Sequence, residues 1–311
     1  MINLEDPQDR SLVEKIFREG QEHVFRFWNE LSYHSRVKFL NQLREIDFPL
    51  LRELREKCLK KEPPAAKLEP IKVIPIPKTE AQQEAANRAK KIGKKLVREG
   101  RIGAFLVAGG QGTRLGFDGP KGMYPIGPVS GKSLFQMHAE KILAESRYYG
   151  VPIPWYIMTS ETNDETTRKF FQDEKFFGLP EEDVFFMKQR MLPALDEEGK
   201  LILDRKDHIF VSPNGHGGAL LAMVESGAAD DMHKRGIEIL SYFQVDNVLI
   251  KIIDPVFIGY HFQAKAEMSS KMLKKRDPFE KLGVFGKIDG KLRVIEYSDL
   301  KPEDAKAQNP D

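Results

Sequence analysis

Ile102-Gly103-Ala104-Phe105-Leu106-Val107 runs directly into Ala108-Gly109-Gly110-Gln111-Gly112-Thr113-Arg114-Leu115-Gly116, and this join decides how the chain is read. Six small or apolar residues without a charge suit a strand buried in a parallel sheet. Four glycines within the eight residues from Gly109 to Gly116 then let the backbone approach a ligand closely. Lacking a Cβ, they are free to take positive φ, so that successive N–H groups turn inward into an anion-binding concavity. Arg114 adds a permanent charge and a planar fork of donors suited to phosphate. Two commoner phosphate loops are excluded. The dinucleotide fingerprint needs glycine where Leu115 stands. In Gly127-Pro128-Val129-Ser130-Gly131-Lys132-Ser133 only three residues separate the glycines, where a P-loop needs four. A tight turn that binds nothing remains the competing reading of the glycine run.

The 311 residues are 41% hydrophobic and 31% charged, enough for a substantial core with or without an appendage. Because 49 basic residues face 47 acidic ones, the net charge of +2 argues against nucleic acid or an anionic membrane surface as a partner. The single cysteine, Cys58, excludes an internal disulfide framework and reads as a buried structural thiol. The first ten residues lack the basic and apolar regions of a signal peptide, and no uncharged apolar run approaches the ~18 residues that span a membrane. These features together predict a soluble, cytoplasmic protein.

Along the chain, residues 1–78 read as a helical appendage and connector. Leu12, Ile16, Phe17, Phe39, Leu40, Leu43, Ile46, Leu50, Leu51 and Leu54 recur at helical steps, and five prolines from Pro63 to Pro77 mark an extended link. Residues 79–311 alternate between periods. Helices are expected over 79–99, 133–149, 161–171, 218–234 and 256–265. Strands are expected over 102–107, 153–158, 184–187, 239–245, 267–273, 281–288 and 292–297. Such alternation predicts an α/β fold with a Rossmann-like, mixed but mostly parallel sheet flanked by helices, whose chemistry lies beyond the carboxyl ends of its strands. Those ends follow Val107, Met158, Met187 and Val245.

Each end carries something usable. Lys121, between Pro120 and Gly122, is placed to meet phosphate as a point charge or to be solvated. Thr159 and Ser160 after the second strand either line a site or cap the next helix. Gly109-Gly110-Gln111-Gly112-Thr113-Arg114-Leu115-Gly116 with Gly119-Pro120-Lys121-Gly122-Met123-Tyr124 resembles the signature of the eukaryotic-type UTP:sugar-1-phosphate uridylyltransferases, and within them the UDP-N-acetylhexosamine pyrophosphorylases. The resemblance extends over roughly residues 80 to 300, through Met158-Thr159-Ser160, Phe185-Phe186-Met187-Lys188-Gln189, Pro213-Asn214-Gly215-His216-Gly217-Gly218, Gln244-Val245-Asp246-Asn247 and Glu296-Tyr297-Ser298.

That resemblance implies a nucleotide-diphospho-sugar transferase type of fold acting on UTP and a sugar 1-phosphate with Mg2+. It implies a nucleotide site made by Gly109, Gly110, Gln111, Gly112, Thr113, Gln189 and Gly215, with Gln189 reading the uracil edge. A neutral amide offers the donor and acceptor that this edge needs. Arg114 and Lys121 are the implied catalytic cations, Asp246 the implied magnesium ligand, and His216, Gly283 and Glu296 the implied sugar contacts. As a bare residue, Asp246 is equally a turn aspartate, and His216 equally structural. The N-acetylhexosamine enzymes usually carry asparagine where His216 stands, and glucose-using relatives carry Gly-His-Gly. Glu296-Tyr297-Ser298 points back to the amino sugar. The expected substrate is therefore N-acetylglucosamine 1-phosphate, with glucose 1-phosphate the alternative. Family members continue well beyond Asp311, so the chain is expected to be incomplete at its C-terminus, either active or a uridine-nucleotide-binding but catalytically weak module. Oligomeric state is not legible.

Overall fold

The computed structural model describes residues 6–59 and 68–307, without the side chains of Cys58 and Leu59, so the reading of Cys58 lies outside what is described. Helices α1 (Pro7–Arg18), α2 (Tyr33–Arg44), α3 (Phe48–Leu59) and α4 (Glu80–Arg98) precede strand β1 (Ile102–Val107). Then come α5 (Leu134–Tyr149), β2 (Trp155–Thr159), α6 (Asp164–Asp173), β3 (Val184–Lys188), β4 (Met191–Pro193), β5 (Leu203–Arg205), β6 (His208–Ile209) and β7 (Val211–Pro213). The chain continues through α7 (Gly218–Glu225), α8 (Ala228–Lys234), β8 (Ile239–Gln244), α9 (Pro255–Gln263), β9 (Val284–Ile288), β10 (Lys291–Ile295) and α10 (Pro302–Lys306). It divides into two units, Met1–Ile46 with Ala85–Lys265 and Asp47–Glu84 with Ala266–Asp311.

The first unit is organised on a parallel sheet in the order β3-β2-β1-β8. Side chains alternate across it. Ala104 and Leu106 of β1 enter a core with Phe135, Ile142, Trp155, Ile157, Phe171 and Ile258, beneath α4, α5, α6 and α9. Phe105 enters the opposite core, with Tyr156, Met158, Met187, Ala222 and Met232, beneath α7 and α8. Each large side chain so buried contributes about 1.5–3 kcal/mol by leaving water. Because both faces are covered, β1 and β2 at the centre of the sheet read in the sequence as apolar runs. Helices α4 and α9 cross at glycines: a Cβ on Gly93 would lie 1.9 Å from the Pro255 carbonyl oxygen, and one on Gly259 1.8 Å from that of Ala89.

Gln244, Val107, Met158 and Met187 form one row across the sheet, so Val245, Ala108, Thr159 and Lys188 leave it at the same level. Strand order reverses direction at β1, with β2 on one side and β8 on the other, which opens a crevice at the carboxyl ends between β1 and β8.

Residues 189–213 form an insertion with two antiparallel pairs, β4 with β7 and β5 with β6. The N-terminal helices dock on it through two glutamines. Gln21 accepts from the Leu201 N–H at 2.9 Å and donates to the Gly199 carbonyl at 2.9 Å, while Gln42 accepts from the Ile209 N–H at 2.8 Å and donates to its carbonyl at 2.9 Å.

Two expectations are corrected. The single helix over 218–234 is broken, because Gly227 takes φ 78° between α7 and α8, a left-handed conformation that no helix interior accommodates. No strand forms over 267–273: Leu273 is 97% exposed, and an apolar run without a pairing partner has no ladder to satisfy its backbone.

In the second unit β9 and β10 form a hairpin through Asp289-Gly290, both at positive φ, and Glu69 of the proline-bearing link exchanges backbone hydrogen bonds with Lys287. Thr79 begins α4 with a capping box: its Oγ1 accepts from the Gln82 N–H at 3.3 Å, and Gln82 Oε1 accepts from the Thr79 N–H at 3.1 Å. No helix among the described residues is long and apolar enough to cross a membrane.

Candidate active site

The glycine run leaves β1 and folds back on itself. Gly112 N–H donates to the Gly119 carbonyl at 2.8 Å and Lys121 N–H to the Gly110 carbonyl at 3.0 Å, so residues 110–121 close into a loop. Arg114 lies on its single 3-10 turn, Thr113–Leu115, exposed beside Thr113. The expectation of positive φ at the cradle glycines holds only at its far end, at Gly116 and Gly119. Gly109 is required for a different reason, close approach. A Cβ there would lie 2.8 Å from Gln189 Nε2 and 3.4 Å from Ser160 Cβ. A Cβ on Gly110 would meet nothing within 4 Å, so that backbone faces open space.

The floor of the loop is a polar brace. Ser160 Oγ, fully buried, donates to the Gly109 carbonyl at 2.8 Å, and Asn163 Nδ2 donates to the Ala108 carbonyl at 2.9 Å. Asn163 Oδ1 in turn accepts from the Ser160 N–H at 2.9 Å. Thr159 Oγ1 donates to Asp164 Oδ1 at 2.5 Å, with the Met187 carbonyl oxygen 3.1 Å away. Neither Thr159 nor Ser160 caps α6 with its side chain; the residue at the cap position is Asn163, whose amide serves the loop instead. Sequence reading missed Asn163, although an asparagine four residues beyond a buried strand is a ready source of local side-chain to backbone bonds.

Gln189 is buried at the end of β3, anchored by its N–H to the Thr159 carbonyl at 3.0 Å. Its side-chain amide lies against Gly109 without a hydrogen bond to the described residues, so donor and acceptor both remain available. Gln111 Nε2 reaches the Thr162 carbonyl at 3.4 Å, which ties the loop's middle to the β2 end.

Asp246 follows β8 and meets Lys121 from the glycine loop: Nζ lies 3.1 Å from Oδ2. An anion-binding cation and a carboxylate, 125 residues apart in sequence, thus share one spot at the crevice between β1 and β8. The pair is partly exposed, with 26% and 50% of the two side chains accessible, so as an ion pair it adds little stability. Among the described residues no group of three or more His, Cys, Asp or Glu side chains gathers to hold a metal. The donor set at this spot is one carboxylate, which fits a hard cation that takes its remaining oxygens from phosphate and water.

His216, after Gly215 at φ 75°, projects to β8, where its Nδ1 bonds the Tyr242 hydroxyl and its Nε2 lies 3.3 Å from Gln244 Nε2. Neither Tyr242 nor the side chain of Gln244 is suggested by the sequence, because their alternation onto this face depends on the register of β8. Beneath Asp246, His138 is wholly buried and bonds the Val245 carbonyl at 2.9 Å through Nε2. Burial drives its pKa down to about 4, so it is a neutral donor at physiological pH.

Gly109, Gly110, Gln111, Gly112, Thr113, Arg114, Lys121, Gln189, Gly215, His216 and Asp246 all belong to the first unit. Gly283 and Glu296 belong to the second. There they flank the β9–β10 hairpin, and a Cβ on Gly283 would lie 3.7 Å from Glu296 Oε1.

The chain is similar to known proteins. The chain is 39% identical over 316 residues to UDP-N-acetylglucosamine diphosphorylase 2 of Arabidopsis thaliana, covering 96% of this chain and 63% of the relative. It is 38% identical over 309 residues to UDP-N-acetylhexosamine pyrophosphorylase-like protein 1 of Xenopus tropicalis, covering 94% of this chain and 60% of that protein. The crystal structure of the uridine diphosphate N-acetylglucosamine pyrophosphorylase from Trypanosoma brucei superposes with a TM-score of 0.80 at 30% identity, covering 99% of this chain and 64% of that one. The chain therefore spans less than two thirds of the length of these relatives. The expected fold, a mostly parallel α/β sheet of the nucleotidyltransferase type, is the fold found. The model of the UTP–glucose-1-phosphate uridylyltransferase family matches residues 50–310, and the chain belongs to that family.

Proposed function

We propose that this chain carries the nucleotide site of a UTP:sugar-1-phosphate uridylyltransferase and forms UDP-N-acetylglucosamine and pyrophosphate from UTP and N-acetylglucosamine 1-phosphate. The observation that carries the reading is the meeting of Lys121 and Asp246 at 3.1 Å beside the glycine loop. A protein that only recognised uridine would have no use for it. The relatives named for UDP-N-acetylglucosamine support the choice of sugar.

In the reaction, a phosphate oxygen of the sugar 1-phosphate forms a bond to the α-phosphorus of UTP, and the bond from that phosphorus to the oxygen bridging it to the β-phosphate breaks. Its electron pair leaves with pyrophosphate. The nucleophile is already ionised near neutral pH, so no general base is needed and catalysis reduces to alignment and charge stabilisation. On this reading the backbone of Gly109 to Thr113 holds the triphosphate, and Gln189 pairs with the uracil edge. Arg114 and Lys121 neutralise charge on the phosphoryl oxygens and leaving group. Asp246 offers its carboxylate to a divalent cation, Mg2+, which when bound supplies further neutralisation of phosphate charge. Gly215 and His216 border the base and sugar, and the setting is cytoplasmic.

Glucose 1-phosphate is the second reading, favoured by the histidine at position 216 between glycines, the residue that the resemblance associates with glucose-using relatives. The test is pyrophosphate release from UTP and Mg2+ with each sugar phosphate in parallel. Turnover with N-acetylglucosamine 1-phosphate in excess supports the proposal, and preference for glucose 1-phosphate reverses the sugar assignment. UTP binding without turnover on either would make the chain a binding module.

A further inference from the structure

Helix α5 packs against the segment that carries Asp246, and two of its side chains, one turn apart, reach that segment's backbone. His138 Nε2 lies 2.9 Å from the Val245 carbonyl oxygen. Lys141 Nζ bonds the Val248 carbonyl and lies 3.3 Å from that of Ile250. These carbonyls bracket Asp246 on both sides. The turn is also held by Lys121 on the Asp246 carboxylate at 3.1 Å and by backbone bonds, Val245 N–H to the Val107 carbonyl at 3.1 Å and Asn247 N–H to that of Gln244 at 3.1 Å.

The choice of side chains exceeds what packing requires. Position 138 is wholly buried between α5 and β8, its ring centroid 5.1 Å from that of Phe243, a place where leucine would fill the space. A buried imidazole loses hydration, and here its other nitrogen, Nδ1, has no partner. That cost is borne at a site whose one polar contact is the carbonyl next to Asp246. Lys141 likewise directs a partly buried ammonium to two backbone oxygens rather than to a carboxylate, and burial lowers its pKa. The same helix starts where the glycine loop's continuation ends: Leu134 N–H donates to the Tyr124 carbonyl at 3.1 Å, three residues beyond Lys121. One rigid helix therefore ties both members of the Lys121–Asp246 pair.

We propose that His138 and Lys141 are positioning residues that aim the Asp246 carboxylate at the divalent cation, so that cation affinity depends on their hydrogen bonds to the backbone around it. The proposal rests on the reading of Asp246 as a cation ligand. Outer hydrogen bonds of this kind typically change metal affinity by about 10–100-fold when removed.

The test is Mn2+ binding to the whole chain in the presence of UTP, read from the electron paramagnetic resonance of free Mn2+, with UTP affinity measured separately without cation. Asp246→Ala should abolish UTP-dependent Mn2+ binding. His138→Leu, which keeps bulk and removes the donor, should weaken Mn2+ by about tenfold or more while leaving cation-free UTP affinity in place. His138→Gln, which restores an N–H, should recover most of the loss. Lys141→Met carries the test should His138→Leu fail to fold, and should also weaken Mn2+ without affecting UTP. Wild-type Mn2+ affinity in the folded Leu or Met variant, with Asp246→Ala inactive in binding, overturns the positioning role alone. Equal losses in His138→Leu and His138→Gln overturn it as well, since bulk rather than the donor would then matter. Undiminished binding in Asp246→Ala removes both the role and the cation reading beneath it.

Discussion

Replacing Gly109 with alanine perturbs base recognition through a single methyl group. Its Cβ would lie 2.8 Å from Gln189 Nε2, about 0.6 Å inside the 3.4 Å at which ordinary contact begins. Ser160 stands at 3.4 Å on the other side, with its hydroxyl committed to the Gly109 carbonyl, so the strain falls on the Gln189 amide. An amide displaced by that amount no longer presents its donor and acceptor in line with a base edge. Loss of one or both hydrogen bonds should cost about 1–3 kcal/mol, or roughly 5- to 150-fold in UTP affinity. The backbone at Gly109 needs no positive φ, so the variant should fold and melt within a few degrees of the parent. Calorimetric titration with UTP and CTP provides the assay, and the ratio of the two affinities should fall toward unity. Undiminished UTP affinity with full discrimination in Gly109→Ala would refute the placement of the base against Gln189.

Arg114→Ala should lower pyrophosphate release by about 10²–10³-fold with a much smaller change in UTP affinity, as expected of a cation acting on developing charge; steady-state rates at saturating substrates check this. Tyr156→Phe removes the buried bond to Asp231 at 2.8 Å while Arg235 still holds that carboxylate, so urea melts should show a loss of about 1 kcal/mol, or about 2–4 °C in Tm. The depressed pKa of His138 implies a specific acid lability. Between its ordinary value of 6.5 and about 4 the unfolded chain binds a proton that the folded chain refuses. Stability from this group is thus complete above 6.5 and declines as pH falls toward 4, by up to about 3 kcal/mol. Urea melts across that range should be flatter for His138→Gln than for the parent, and parallel curves would contradict the assignment.

Much of this site could be read in the residues themselves. Strands β1 and β2 are legible because a parallel sheet covered on both faces demands continuous apolar runs at its centre, and the segment leaving each run carries the chemistry. The helix expected to start at residue 79 is found there as α4, and the structure adds the capping box of Thr79 with Gln82 that fixes this start. Features that depend on partners distant in sequence are not legible. Met268 and Leu273 look like strand residues but lack a neighbouring strand. Ala219 through Met232 keeps helical spacing across Gly227, so the break is masked by its flanks. The short pairs β4–β7 and β5–β6 are too brief to show a period. His138 reads as one polar residue in an amphipathic helix; only the fold brings it under Val245. Glycine at 109 was legible, but its reason was not, because positive φ and close approach demand the same residue.

The amides of Gln21 and Gln42 each bridge a backbone N–H and a backbone carbonyl of the insertion, and these targets lie 178 to 180 and 167 residues away in the sequence. During synthesis at about 5–20 residues per second, the N-terminal helices would emerge roughly 10–40 s before the strands that complete them. For that interval Phe25 and Phe39, buried in the finished fold, have only each other and neighbours such as Trp28 to pack against, and the insertion backbone that Gln21 and Gln42 bond is missing. Contacts of such long separation also slow folding, since the intervening loop must be closed before they form. Helices α1 and α2 are therefore made well before the strands they dock on, and a chaperone that shields nascent apolar segments would engage them throughout that interval.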